Sequence, residues 1–214
     1  MRIGILGAGH IGATAARLFA RAGHEVALSN SRGPASLASL VEEINREAGA
    51  ARVHATAAQE AAAFGDAVLL AVPWRTPEAW PAPGAVRGKI VIDSMNPYTA
   101  TGDIVDLGAS TSSEEVAKRL PGARLVKAFN TIYWEHLAGQ GRPDLPPARR
   151  RAIFLAGDDV EAKRVVSRLI EEIGFAPVDT GTLREGGRSQ QPGTPVYNRN
   201  LTQEEAVGIL AAAH

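Results

Sequence analysis

The chain has 214 residues and no cysteine, and its 23 basic residues balance 23 acidic ones. This length accommodates one large domain with a buried core. Because the charges balance, we expect no nucleic-acid partner. The lack of cysteine excludes disulfides, thiolate metal sites and a cysteine nucleophile. Glycines interrupt the apolar run near the N-terminus too soon for a signal peptide or a membrane span, so we expect no membrane partner and a cytoplasmic location.

Short apolar runs alternate along the chain with longer stretches of helical period. This pattern predicts an α/β fold of the Rossmann type, with a doubly wound, mostly parallel sheet. The predicted strands are 2–6, 25–29, 52–54, 67–72, 89–93, 124–129, 151–156 and 176–179. A helix opens directly after the first glycine loop, and further helices are predicted at 36–48, 57–64, 113–120, 159–173 and 204–213.

The clearest motif is the G-x-G-x-x-G loop formed by Gly7, Ala8, Gly9, His10, Ile11 and Gly12. The loop follows a predicted strand and opens a predicted helix, which is the context that favours dinucleotide binding over a tight turn without a ligand. In that context the first glycine makes the turn, the second admits a pyrophosphate and the third brings the helix against the sheet. His10 either touches the ribose or phosphate or is simply solvated.

Cofactor preference is set at the end of the second predicted strand, where NAD enzymes place an acid that binds the ribose 2′-hydroxyl. This chain has Ser29, Asn30, Ser31 and Arg32 there instead. A hydroxyl and a guanidinium suit a 2′-phosphate, so the sequence predicts NADP(H). The alternative is an exposed arginine that begins a loop.

Three further clusters follow the fourth, fifth and sixth predicted strands. In a parallel sheet the ligand lies over the carboxyl ends of the strands, so we expect the clusters to meet in one crevice beside the nicotinamide. Trp74 and Trp134 can equally pack in the core or at a subunit contact, and Asn96 and Asn130 can satisfy turn backbone. The candidate cofactor-binding residues in these clusters are Val72, Pro73, Trp74, Ser94, Met95, Asn96 and Asn130.

No metal motif, P-loop or nucleophile elbow is present in the sequence, and the histidines are scattered without ligand spacing. We therefore predict no metal site. His136 lies six residues after Asn130 and is a candidate proton donor, although a helix-start histidine is the plainer interpretation. Asn130, Trp74 and His136 are the candidate catalytic residues.

Five segments together resemble the NADP oxidoreductase, coenzyme F420-dependent family, over nearly the whole chain through Gly181. They are residues 1–12, 31–32, 71–74, 127–132 and 155–159. The resemblance implies hydride transfer between NADPH and a deazaflavin with few acids or bases, because two-ring transfer mainly requires orientation. It implies cofactor contacts by Gly9, His10, Ile11, Ser31 and Arg32, and contacts to the nicotinamide and acceptor by Pro73, Trp74 and Asn130.

The residues that the resemblance places near the hydride acceptor depart from the family pattern. Archaeal enzymes of this type have a histidine where this chain has Asn130, and an apolar C-terminal segment where this chain has the polar residues 184–200. The segment Phe129 to Ile132 also resembles the NADPH domain of membrane metalloreductases, which reduces an ordinary flavin. The expected second substrate is therefore F420, FMN or FAD.

Two alternatives remain open at this point. One is a reductase of a small carbonyl or imine substrate, although such enzymes need a long helical second domain. The other is a non-catalytic NADPH-binding sensor, which a sealed pocket would favour.

We expect a Rossmann domain over residues 1–180. Residues 181–214 are expected to form an arm and helix that complete the acceptor site or a homodimer contact.

Overall fold

A computed structural model describes residues 1–212 of the chain. Its centre is an eight-stranded sheet with the order β3-β2-β1-β4-β5-β6-β7-β8. The strands run through Arg2–Leu6, Glu25–Ser29, Val53–Ala55, Ala67–Leu70, Ile90–Asp93, Arg124–Ala128, Ala152–Gly157 and Ala176–Asp179, numbered β1 to β8. The predicted α/β fold of the Rossmann type is confirmed, with its strand order reversing between β1 and β4.

The sheet changes direction once. Strands β1 to β6 pair in parallel, whereas β7 pairs with β6 antiparallel, with Lys127 opposite Ala156. Strand β8 then runs parallel to β7. The carboxyl ends of β1 to β6 therefore share one edge of the sheet. Strand β8 runs in the other direction, and its last residue, Asp179, pairs with Leu155, which faces Ala128 at the end of β6.

Helices cover both faces of the sheet. Their bounds are His10–Arg21, Ala38–Ala48, Ala58–Phe64, Pro83–Val86, Ser112–Arg119, Trp134–Gly139, Val160–Glu172, Glu185–Ser189 and Gln203–Ala212, numbered α1 to α9. Sequence signals mark some of their starts: Thr111 and Glu114 form a capping box before α5, and Asp159 caps α7 through the Ala162 amide. Short 3₁₀ turns occupy Pro34–Leu37, Pro77–Ala79 and Pro147–Arg149.

Alternating strand residues feed separate apolar clusters. Ile153 and Leu155 of β7 pack with α1 and α7 on one face, while Phe154 packs with Val178 and the C-terminal helix on the other. This alternation follows from the two-residue period of a strand. Within residues 1–212, no helix combines the length and apolar character that crossing a membrane requires.

The differences from the predicted elements lie at short helices. Helices α4, α6 and α8 span 4, 6 and 5 residues and were not predicted, because so short a segment carries no measurable period. Helix α8 lies inside the predicted arm, where the sequence indicated no helix before residue 204. The predicted last helix ends at 213, and residues 213–214 of the predicted arm lie outside the described part of the chain.

Candidate functional site

The glycine loop connects β1 to α1 at the shared carboxyl edge. Gly7 has φ +104°, which only glycine adopts without strain, and its amide donates to the Ser29 carbonyl at 3.0 Å. A Cβ at Gly12 would lie 1.8 Å from the Gly7 carbonyl oxygen, so no side chain fits there. A Cβ at Gly9 would meet nothing within 4 Å. The three glycines therefore have different surroundings. Gly7 makes a turn, Gly9 borders an open space and Gly12 packs closely against backbone.

The start of α1 is arranged to receive an anion. No side chain caps the helix and no acid lies in its first turn. Within residues 1–212, the first amide of this segment that finds a backbone carbonyl is that of Ala13, bonded to Gly9. The amides of residues 10–12 thus point toward the open space at Gly9, with the positive end of the helix dipole behind them. This cradle fits the pyrophosphate of a dinucleotide.

The end of β2 separates inward from outward side chains. Ser29 is fully buried and its hydroxyl donates to the Ile5 carbonyl, so it is not available to a ligand. Asn30 accepts a hydrogen bond from the Arg32 amide and donates to Ser36, which fixes the turn. Ser31 and Arg32 are exposed, and Arg32 forms no ion pair within residues 1–212. Their groups fit a phosphate, and the turn contains no carboxylate that would repel one.

Asn130 follows β6 in a constrained turn. Phe129 is buried and has φ +66°, a left-handed conformation that is costly for a residue with a bulky side chain. The Asn130 amide group donates to Asn96 Oδ1 at 3.1 Å and to the Gln190 carbonyl at 2.8 Å, while Asn96 donates to the Asn130 carbonyl at 2.9 Å. The two asparagines thereby lock the ends of β5 and β6 together.

A cleft of about 180 Å³ opens beside these asparagines. Its walls come from α1, from the ends of β5 and β6, from the start of α6 and from the C-terminal arm. Residues that line it include Ile11, Ser94, Asn96, Asn130, Trp134 and Tyr197. The buried Oδ1 of Asn130 accepts no hydrogen bond from residues 1–212, and neither does Oε1 of Gln190. An unpaired buried acceptor is costly, so the cluster has capacity for a ligand donor.

The arm, residues 181–200, crosses the carboxyl edge of the sheet and contributes to the cleft. Asn198 donates its amide to the Thr131 carbonyl at 3.0 Å, and the Tyr197 hydroxyl accepts from Asn96 and from Tyr98. The sequence did not predict roles for Gln190 or Tyr197. These contacts join residues 60 to about 100 positions apart, so no local period could have revealed them.

The cluster after β5 and the cluster after β6 line the same cleft, whereas the cluster after β4 does not line it. Val72 lies beside Gly7, and Pro73 is exposed. Trp74 packs edge-on against Trp80, and its indole N–H donates to the Ser112 carbonyl at 3.2 Å. It lies among the apolar residues of the other sheet face because α5 and the 73–83 segment offer it a packing surface. This cluster therefore does not line the cleft, and its contact with a bound cofactor stays a prediction.

The remaining candidates have these surroundings. His10 stacks on Trp134 with ring centres 4.5 Å apart, at the mouth of the cleft. Ser94 donates its hydroxyl to the Leu70 carbonyl, and Met95 is buried in the core. His136 lies edge-on to Tyr133 and is not among the cleft residues; its buried Nδ1 has no partner within residues 1–212. Ala8 packs partly against the core under the glycine loop.

An ion pair lies buried under the cleft and was not predicted. Lys127 donates to Asp93 Oδ2 at 3.1 Å and also to the Met95 carbonyl and Ser112, and both charged side chains are at most 1% exposed. Asp93 also accepts from the Met95 amide and Ser113. Burial lowers the pKa of Lys127, and the Asp93 carboxylate opposes that shift. The pair fixes the turn that carries Ser94 and Asn96.

Among residues 1–212, no cluster of three or more histidine or acidic side chains is arranged to hold a metal ion. The cleft residues themselves are amides, hydroxyls, aliphatic groups and aromatic rings. Such a site can orient planar rings and donate or accept hydrogen bonds, and its walls contain no carboxylate.

Comparisons with known proteins agree with this geometry. The family model described as NADP oxidoreductase coenzyme F420-dependent matches residues 2–97. A hypothetical protein of Sinorhizobium meliloti has a solved structure that is 36% identical, with a TM-score of 0.79 over 94% of this chain and 95% of that chain. A protein of Arthrobacter sp. FB24 described as an F420-dependent NADP reductase is 24% identical, with a TM-score of 0.72 over 94% of this chain and 99% of that one.

A curated relative extends the comparison to a longer protein. Metalloreductase STEAP3 of Rattus norvegicus is 29% identical over 85% of this chain, which corresponds to 34% of the rat protein. The chain thus spans about a third of the length of that curated relative. The glycine loop, the phosphate-compatible turn after β2, the family match and the full-length structural relative agree with one another. The chain belongs to the NADP oxidoreductase, coenzyme F420-dependent family.

Proposed function

We propose that the chain binds NADPH with its pyrophosphate on the amides of residues 10–12 and its 2′-phosphate at Ser31 and Arg32. The observation that carries this proposal is the open space at Gly9 in front of uncapped helix amides. Arg32, which is exposed and forms no ion pair in the described part of the chain, lies one strand away and supplies the charge that a 2′-phosphate needs. His10, stacked on Trp134, stands at the border between the loop and the cleft.

The nicotinamide is proposed to occupy the cleft between Ile11 and the two asparagines. Asn130 Oδ1 lacks a donor, and the amino group of a carboxamide would supply one. Bound NADPH supplies a hydride, and the protein residues orient the ring and exclude water. Trp74 and His136 do not line the cleft. The proposed catalytic role of Trp74 therefore rests on the family resemblance, and that of His136 rests on its position six residues after Asn130.

The hydride acceptor is proposed to be a deazaflavin or a flavin, namely F420, FMN or FAD. The family description and the Arthrobacter relative support a deazaflavin acceptor. The cleft supports it chemically, since Trp134 and Tyr197 offer aromatic surface and the lining contains no carboxylate, histidine or lysine. Its openness to solvent at the exposed Asn198 favours catalysis over a sealed sensor site.

Stopped-flow mixing tests the proposal. The NADPH-loaded protein is mixed anaerobically with F420, FMN or FAD, and NADPH absorbance and acceptor reduction are followed together. We expect stoichiometric oxidation of NADPH with at least one of the three. If none is reduced faster than by NADPH in buffer, while a carbonyl or imine panel is reduced, the reductase alternative replaces this assignment.

A homodimer is the proposed assembly, with the arm and α9 as its contact. Helix α9 is apolar in sequence after Glu205, and Val207 is 54% exposed on it. Light scattering after size-exclusion chromatography would give twice the chain mass of 22.5 kDa, and a Val207→Glu variant would give the monomer mass. A single-chain mass for the unmodified protein would refute this assembly. The cytoplasmic location stays a prediction.

A further inference from the structure

The hydroxyl of Tyr197 has an unusual set of partners. It accepts one hydrogen bond from Asn96 Nδ2 at 3.2 Å and another from the Tyr98 hydroxyl at 3.1 Å. A phenol oxygen has two lone pairs, so both are used. Its own proton has no acceptor among residues 1–212. Since Tyr197 lines the cleft, that proton is a hydrogen-bond donor available to a ligand.

Two neighbours hold this donor in position. Tyr98 follows β5 and forms a short bridge with Ile104, and Asn96 is fixed by its mutual bonds with Asn130. Burial raises the pKa of Tyr197 well above the ordinary value of a tyrosine. The hydroxyl therefore remains protonated at neutral pH and acts as a donor, not as a base.

We propose that the Tyr197 hydroxyl donates a hydrogen bond to the hydride acceptor and selects acceptors that present a ring carbonyl or ring nitrogen to the arm. The inference rests on the proposed function and adds a residue and a chemical requirement to it. Flavins and deazaflavins meet the requirement, because both carry a pyrimidinedione ring with two carbonyl groups. A planar acceptor without such an edge would leave the hydroxyl unpaired in a half-buried site.

The redox step balances without a further reactant. The C–H bond of the dihydronicotinamide breaks, its electron pair leaves with the hydrogen, and a new N–H bond forms at a flavin or a new C–H bond at a deazaflavin. The acceptor gains two electrons and one negative charge, which spreads onto its pyrimidinedione ring. A hydrogen bond from a neutral phenol stabilises that charge, and the final proton comes from water.

The test compares Tyr197→Phe and Tyr98→Phe with the unmodified protein. Oxidised FMN and oxidised F420 are titrated into the NADP⁺-saturated protein, where no hydride can be transferred, and Trp fluorescence reports binding. We expect Tyr197→Phe to weaken acceptor binding or to slow single-turnover reduction about tenfold or more. The Kd of NADPH should change by less than about twofold, because the donor faces the acceptor.

Tyr98→Phe is the matched control, because it keeps the Tyr197 hydroxyl and its bond from Asn96. A smaller loss in Tyr98→Phe than in Tyr197→Phe supports a role for the donor itself, whereas equal losses would show that only the packed pair matters and would overturn the proposal. An equal loss of NADPH affinity, or no effect of Tyr197→Phe, would also overturn it. Thermal midpoints of both variants separate binding from folding.

The proposed function and this inference can fail separately. If FMN or F420 binds but is not reduced, hydride transfer to that acceptor class is wrong, and the binding comparison still decides the role of Tyr197. If neither compound binds the unmodified protein, the inference is refuted. If both acceptors are reduced but Tyr197→Phe matches the unmodified protein, only the inference fails.

Discussion

Gly9 and Gly12 lie three residues apart and require glycine for opposite reasons. A Cβ at Gly12 would collide with the Gly7 carbonyl at 1.8 Å, whereas a Cβ at Gly9 would enter open space. We expect Gly12→Ala to lower the thermal midpoint strongly because backbone must move. We expect Gly9→Ala to leave that midpoint nearly unchanged and to weaken NADPH binding about tenfold or more, because the methyl group enters the phosphate space.

Calorimetry and a fluorescence titration with NADPH measure both quantities for each variant. Gly84→Ala is the control, since a Cβ there also meets nothing within 4 Å and the site is remote from the loop. If Gly9→Ala binds NADPH as tightly as the control, the open space is not the phosphate site.

Arg32 is the residue expected to make the protein prefer NADPH to NADH. Its exposed guanidinium meets no carboxylate within residues 1–212, and NADH lacks the phosphate that it would bind. We expect Arg32→Ala to raise the Kd of NADPH by about tenfold to a hundredfold, as for the loss of a charged hydrogen bond, and that of NADH by much less. Arg168→Ala, an exposed arginine on α7, is the control. Equal losses for NADPH and NADH would remove this role.

At the scale of elements, the Lys127–Asp93 pair connects β5, β6 and α5. Lys127→Met leaves the Asp93 carboxylate buried without its cation, and such a loss costs about 3–5 kcal/mol. Adding Asp93→Asn removes the unpaired charge, so we expect the double variant to regain part of that stability. Urea unfolding of the single and double variants measures the difference. If the two losses simply add, the pair is not coupled in the way that the geometry indicates.

The start of α7 should make stability depend on acid. Arg124 donates two hydrogen bonds to Asp159, and with the Ala162 amide it holds the pKa of the Asp159 carboxyl well below its ordinary value. The stabilisation is complete above the unfolded-state pKa of about 3.9 and is lost as pH falls toward the folded-state value. Asp159→Asn should lower the thermal midpoint at neutral pH and lessen its fall in acid. A constant difference at every pH would contradict this.

Long elements could be predicted from the sequence because each carries its own signal. The apolar run of β4 and the period of α7 are local, and the glycine loop binds through its own backbone. The Lys127–Asp93 pair and the Tyr197–Asn96 contact depend on residues 34 and 101 positions apart. Only the assembled sheet brings such residues together. Trp74 is a further example, since its position after β4 in the sequence did not reveal that it packs against Trp80.

At the scale of the whole molecule, Arg151 anchors the arm to the sheet. Its buried guanidinium donates to Asn200 Oδ1, to the Arg199 carbonyl and to Gln140. We expect Arg151→Met to loosen the arm and to accelerate tryptic cleavage at Arg184, Arg188 and Arg199. Arg150→Met is the control, because the Arg150 side chain donates to the Leu145 and Pro143 carbonyls and not to the arm within residues 1–212. Equal cleavage rates for the two variants would show that the arm is held elsewhere.

The arm and the glycine loop supply separate parts of the site. Strand β8 runs opposite to β1 to β6, and its last residue, Asp179, is level with the carboxyl end of β6 through the pairs Asp179–Leu155 and Leu155–Ala128. The arm that follows adds no strand to the sheet within residues 181–200, contacts Asn130 through Gln190 and lines the cleft with Tyr197. If this wall contacts the proposed hydride acceptor, a graft of residues 184–200 between relatives is the natural unit for redesigning the choice of acceptor.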